Sequence, residues 1–241
     1  MHVFVISWKD QHQNAVKIVA ALLPVVESLT LVYSDPNPKL RFKLPCQVIQ
    51  RPDHLFWGDK FTACLEQFHD DIMLIIQADA SCDNWAGLVM SCKNLMHTNP
   101  QVGLWAPQIE WSPYDVSITQ VAAVPDTTLR MVVQTDGIVL GMSRQVVNRL
   151  KQADLSYNTY GWGIDQLATA FAYANNMMAV VDTAIKVQHP KSRGYPEDEA
   201  GLQWQQFMSK EMTAQEKILH KLLFAHLMTQ NRKHKHLAHL L

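Results

Sequence analysis

Short, uninterrupted apolar runs alternate with segments of helical period through the first half of this chain, and that alternation restricts the fold more than any other feature. HVFVIS from His2, LTLVYS from Leu29 to Ser34 and DIMLIIQA from Asp71 read as strands, the last too continuously apolar to have a wet face. Between them, Ala15 to Leu23 carries a helical pattern stopped by Pro24, and Phe56 to Phe68 places Phe61, Cys64, Leu65 and Phe68 on one helical face. Gln47 to Gln50 is a short third strand. Strands separated by helices predict βαβ units: an α/β fold with a mostly parallel central sheet and helices on both sides.

Downstream, a helix is expected near Trp85 to His97 and a strand at Val102 to Ala106. From Pro107 to Arg130 periodicity weakens around Trp111, Pro113, Tyr114 and Pro125, and a loop of that length inside a compact domain usually serves a function. Met131 to Gly141 reads as a strand, Ser143 as the cap of a helix to Lys151, and Ile164 to Ala174 as a second helix. The segment from Met178 is strand-like to His189, KSRGYPEDE follows as a polar loop, and Thr213 begins a final helix through about Gln230. The expected organisation is one domain over 1–205 and a C-terminal helical appendage over 206–241.

Charge separates the same two parts. Overall the chain carries 21 Lys and Arg against 22 Asp and Glu, which excludes a protein that coats nucleic acid along its whole surface. Residues 1–209 hold 15 basic and 20 acidic side chains, a net −5, whereas residues 210–241 hold 6 and 2, a net +4. Cys46, Cys64, Cys82 and Cys92 form no C-x-x-C pair, as expected of reduced thiols rather than a zinc site or disulfide framework. MHVFVISWKDQ has no basic segment ahead of its short apolar run, so it reads as a first strand and not a signal peptide. No apolar stretch reaches the length of a transmembrane helix, and a cytoplasmic protein, peripheral to the membrane at most, is the expectation.

In open α/β sheets ligands bind outside the carboxyl ends of the strands. Those ends here are Ser7-Trp8, Ser34-Asp35, Gln77-Ala78-Asp79 and Gln188-His189. An acid leaving a buried strand is either a turn former or a group that shares a divalent cation with an imidazole and phosphate oxygens.

QADAS at 77–81, TYGWGID at 159–165 and KVQHP at 186–190, in that order and after a second strand ending in SDP, resemble the GT-A fold of nucleotide-sugar-dependent glycosyltransferases, most closely the family-2-like group. The resemblance spans residues 2 to 195. It implies that Asp79 and His189 hold Mn²⁺ or Mg²⁺ against the donor pyrophosphate, with Ala78 alongside, and that Ser7, Trp8 and Asp35 hold the nucleoside. It implies further that Asp165 is the general base and that Tyr160, Gly161, Trp162 and Gly163 lie at the acceptor, whose identity stays open among polysaccharide, lipid-linked sugar, protein and modified DNA. Two departures stand out. The first acid of the D-x-D element is Gln77, and the acidic pair at the helix opening is reduced, with Ile164 before Asp165 and Gln166 after it. A catalytically silent sugar- or nucleotide-binding protein on the same scaffold is the rival reading.

Other candidates each have two readings. Gly161 and Gly163 form a tight turn or let backbone approach a sugar. Trp111, with Tyr114, lines an acceptor cleft or packs at its rim. Lys60 reaches a phosphate or is a solvated lysine. Lys191 and Arg193 close over the pyrophosphate or belong to an ordinary charged loop. The tail sets Ile218, Leu219, Leu222, Leu223 and Leu227 beside Lys217, Lys221, Arg232, Lys233 and Lys235, and reads as a docked helix or as a contact with anionic membrane or a phosphate backbone.

Overall fold

The computed structural model describes residues 1–190 and 195–238. Its elements are β1 (His2–Ser7), α1 (His12–Leu22), β2 (Ser28–Ser34), β3 (Gln47–Arg51), α2 (Trp57–Gln67), β4 (Ile72–Gln77), α3 (Trp85–Thr98) and β5 (Val102–Glu110). There follow α4 (Val116–Thr119), β6 (Gln120–Ala123), β7 (Leu129–Val132), β8 (Val139–Ser143), α5 (Arg144–Leu150), α6 (Ile164–Ala174), β9 (Met178–Gln188), α7 (Glu197–Glu211) and α8 (Ala214–Ala238). The strands form one sheet in the order β3-β2-β1-β4-β8-β5-β9-β7-β6. Only β8 and β7 run against the others, since both pair antiparallel with their neighbours while β1 to β4 and the β5/β9 pair are parallel.

The uninterrupted apolar runs follow from burial on both faces of this sheet. Val3 and Val5 of β1 pack with Ile18 and Leu22 of α1 and Val89 of α3, whereas Phe4 and Ile6 enter a second core with Phe61 of α2 and Leu167 of α6. A polar side chain inside β1 or β4 would have no water on either side, so their polar groups appear where the strands end.

Three segments differ from the sequence expectation. The strand expected over 131–141 is two strands on different neighbours: β7 pairs with β9, and β8 inserts between β4 and β5. The break falls at Gln134-Thr135-Asp136-Gly137, whose Asp-Gly pair is a turn signal. The stretch over 107–130 contains the end of β5, the short α4 and the edge strand β6. Residues 197–211, left without a helix in the sequence reading, form α7. Its signals are acids in the first turn after Pro196 and the helical spacing of Ala200, Trp204, Phe207 and Met208.

The final helix starts where the sequence places it, through a capping box: Thr213 Oγ1 accepts from the Glu216 N–H and the Glu216 carboxylate accepts from the Thr213 N–H. The same carboxylate takes a two-pronged bond from Arg149, at 2.7 and 2.9 Å. Both side chains are nearly excluded from water. Burial alone would raise the Glu216 pKa, but the Arg149 fork and the Thr213 N–H outweigh it and hold the group below its ordinary value. Replacing either partner strands a buried charge, so Arg149→Ala or Glu216→Ala should cost about 3–5 kcal/mol in urea denaturation. Because the folded-state pKa is depressed, that contribution is complete above the ordinary carboxylate pKa of 4.5 and is lost as pH falls through the folded value, which the pH dependence of Tm will read.

Candidate functional site

Chain order reverses between β1 and β4, which makes the crevice beyond their carboxyl ends the topological switch point of the sheet. Ser7 closes β1 and is fully buried, and its Oγ lies 2.8 Å from His12 Nδ1. His12 Nε2 lies 3.0 Å from Asp35 Oδ2, while Asp35 Oδ1 accepts from the Asn37 N–H at 2.7 Å. The Asn37 N–H, ahead of His12, holds the Asp35 carboxyl below its usual range. The expected Ser7 and Asp35 are therefore one unit, joined by a histidine that the sequence reading passed over because SWKDQHQ matches no pattern. Trp8 is partly buried against the core beside them.

On the β4 side, the Ala78 N–H donates to Ile6 O and the amide of Asn14 donates to the carbonyls of Ala78 and Ala80, which pins the loop carrying Asp79. Ser81 and Gln188 exchange two backbone bonds of 2.9 Å, so the exit of β4 is tied to the end of β9. That clamp brings Asp79 Oδ2 within 3.0 Å of His189 Nε2. The other oxygen, Asp79 Oδ1, is buried with no hydrogen-bond partner, a costly state for a carboxylate unless a cation or ligand completes it. Two protein donors and an uncompensated oxygen suit a divalent cation that takes its remaining ligands from phosphate and water. Among the described residues no group of three or more His, Cys, Asp or Glu is arranged to hold a metal by itself. Gln77, where a first acid was expected, instead donates from Nε2 to Gly137 O at 3.1 Å and so fixes the segment between β7 and β8.

That segment carries the other half of the site. Asp165 sits in the first turn of α6, behind Gly163, with Oδ1 accepting from the Gln166 N–H and Oδ2 taking a short hydrogen bond from Gln134 Nε2. Burial, and then the nearby charge of Asp136, push the Asp165 carboxyl up to about 7. Asp136 in turn accepts from Ser112 Oγ at 2.6 Å, in the loop between Trp111 and Tyr114. Gln134 and Asp136 were missed because their segment was read as strand interior.

The GWG turn is held by protein packing. Gly161 and Gly163 adopt φ of +76° and +87°, and a Cβ on them would lie 2.2 Å from the Trp57 ring and 2.7 Å from that of Trp204. Tyr160 donates to Glu199 at 2.9 Å and forms a three-ring cluster, stacked on Tyr195 at 5.0 Å and tilted against Phe56 at 4.8 Å, with Phe56 and Tyr195 in edge contact at 6.4 Å. Trp162 Nε1 donates to the Tyr195 hydroxyl at 2.8 Å. Phe56, Tyr195 and Glu199 thus pack with the residues expected at the acceptor, two of them at or in the unforeseen α7. Trp111 stands 68% exposed on left-handed backbone at the end of β5. Lys60 is neither solvated nor aimed at open space. It is 3% exposed, donates to the carbonyls of Phe56 and Leu55, and is lowered by burial to about 8. Lys191 and Arg193 lie outside the described residues.

A carboxyl held near 7 by burial destabilises the fold once ionised. Relative to an ordinary carboxyl of 3.8, the folded state binds the extra proton, so wild-type stability falls as pH rises from about 4 through about 7. Asp165→Asn should therefore be more stable than wild type at pH 8, by roughly 2–4 kcal/mol, and nearly equal to it at pH 4. Asp136→Asn should shift the wild-type transition to lower pH. Thermal unfolding of the three proteins across that range checks both.

No protein-family model matches the sequence, and no protein of curated function does either. Solved structures do match in three dimensions. GalNAc-T7 with UDP, GalNAc and Mn²⁺ superimposes with a TM-score of 0.58 at 11% identity, over 81% of this chain and 45% of that one, so this chain spans under half of that protein's length. Glucosyl-3-phosphoglycerate synthase from Mycobacterium tuberculosis, with Mn²⁺, UDP-glucose and phosphoglyceric acid, gives 0.55 at 12% identity over 90% and 80% of the two chains. TarS 1–349 from S. aureus gives 0.55 at 13% over 95% and 81%. At these identities the likeness is one of fold, and the fold of this chain is that of the GT-A nucleotide-sugar glycosyltransferases.

Proposed function

We propose that this chain is a glycosyltransferase that moves a sugar from a nucleotide-sugar donor, a UDP-sugar, to a hydroxyl acceptor, with Mn²⁺ or Mg²⁺ at Asp79 and His189. The observation that carries the reading is the clamped Asp79–His189 pair with its unpartnered buried oxygen at the switch point of a GT-A fold. The UDP, UDP-glucose and Mn²⁺ of the structural neighbours support the donor class and the metal. When bound, the cation would neutralise charge developing on the departing nucleoside diphosphate.

In this reading the Ser7–His12–Asp35 unit and Trp8 hold the nucleoside, and Asn14 keeps the Ala78–Asp79 loop in place. Asp165 accepts the proton of the acceptor hydroxyl as its oxygen attacks the anomeric carbon and the bond to the diphosphate oxygen breaks. A pKa near 7 fits that role, because the group is available as a base at neutral pH and becomes a competent proton store as the hydroxyl acidifies. A single in-line attack inverts the anomeric centre. Tyr160 and Trp162 border the acceptor, and Gln134 orients the Asp165 carboxylate.

One observation favours the rival, a silent binding protein. Gln77, standing where a second acid would help hold a metal, is committed to Gly137.

Hydrolysis and transfer from a panel of nucleotide sugars, with and without chelator, separate the two. Under the transferase reading, chelator abolishes turnover, and rate rises with pH through about 7. Asp165→Asn then loses at least about 100-fold in rate while its thermal shift with UDP and Mn²⁺ stays near wild type. Normal turnover in that variant removes Asp165 as base. Sugar or nucleotide binding that ignores chelator, with no turnover, establishes the rival.

A further inference from the structure

The outward side of α8 is built for contact with something other than water. Its inward side is accounted for: Leu219, Leu223 and Leu227, four residues apart, face the body, with Glu216 buried on Arg149. The opposite side carries Ile218 and Leu222, 61% and 63% exposed, and beside them Phe224 and Met228 are exposed as well. Lys221 and Arg232 fall on that same arc at helical spacing, and both are exposed. The only acid in the helix, Glu216, is consumed by Arg149, so the positive charge of this face is uncompensated within α8.

We infer that the outward face of α8 seats the protein on an anionic lipid bilayer. A phosphate backbone would reward Lys221 and Arg232 but offers nothing to Ile218 and Leu222. A bilayer rewards both, with headgroups at the cations and the acyl boundary at the apolar side chains. A second copy of the chain is disfavoured by the same charges, because a symmetric contact through this face sets like charges against one another.

The placement of the helix gives the contact a consequence. His226 Nε2 lies 3.0 Å from Gln120 O and His234 Nε2 lies 3.1 Å from Ser117 O, so the basic end of α8 runs along α4 and β6, next to the loop that carries the exposed Trp111. Resting on the glycosyltransferase reading, this points to an acceptor hydroxyl offered from the lipid surface.

Vesicle co-sedimentation of the full chain, with no donor present, tests the contact independently of any catalytic activity. The chain should sediment with vesicles of phosphatidylglycerol and phosphatidylcholine, not with phosphatidylcholine alone, and rising salt should release it. Ile218→Ser/Leu222→Ser and Lys221→Glu/Arg232→Glu should each lower the partition coefficient by about tenfold while circular dichroism and Tm stay at wild-type values. Should either double variant unfold, the lipid and salt dependence of the wild-type chain still decides. Absence of binding to anionic vesicles overturns the inference. So does binding that ignores the Ile218/Leu222 change and is matched by duplex DNA, which would mark a polyanion surface, or a dimer in light scattering that Leu222→Ser dissolves.

Discussion

Burial of the central sheet on both faces governs the rest of the molecule. Because Val3, Phe4, Val5 and Ile6 alternate between two dry cores, and Met73 to Ile76 do the same, neither β1 nor β4 can carry a polar side chain along its length. Chemistry is pushed to the strand ends, and the reversal of strand order between β1 and β4 opens a crevice there. Ser7, Asp79 and His189 sit at those ends, and the Ser81–Gln188 backbone bridge joins β4 to β9 although β8 and β5 lie between them in the sheet.

The two candidate carboxylates, Asp79 and Asp165, stand in different environments. Asp79 shares one oxygen with His189 and has the other buried and unmet. Asp165 is pushed toward its neutral form by burial and by Asp136. Environments that differ in this way fit the two tasks proposed for them, one electrostatic and one in proton transfer. Both arrangements oppose stability, and they are sustained by supports elsewhere: the Asn14 clamp, the Gln77 bond to Gly137, and the α7 side chains packed against the GWG turn.

Legibility in the sequence varied with the range of the interaction. The buried strands, the Ser143 and Thr213 helix starts, and the placement of Asp79 after β4 and of Asp165 in the first turn of α6 were readable because each depends on a local pattern or a short motif. Lys60 was misjudged because nothing local reveals that its ammonium folds back onto the Phe56 and Leu55 carbonyls. His12, Gln134 and Asp136 escaped because each acquires its role from a partner distant in sequence: Asp35 for His12, Asp165 for Gln134 and for Asp136. The helix over 197–211 is different, since Ala200, Trp204, Phe207 and Met208 carry a helical period, but the polar, turn-rich run KSRGYPEDE overlaps the first turn and masks the start.

By itself, then, the amino-acid order determined an α/β chain with helices on both faces of a parallel-rich sheet, an acidic body, a basic amphipathic tail, and the acids and histidine available at the strand ends. These are consequences of periodicity and of strand termini, which are local. Tertiary structure alone decided that Gln77 serves the fold, that Asp136 raises Asp165, that β8 separates β4 from β5, and that one side of α8 docks while Ile218 and Leu222 face outward. Each of those depends on which distant segments meet, and on how much water remains between them once they do.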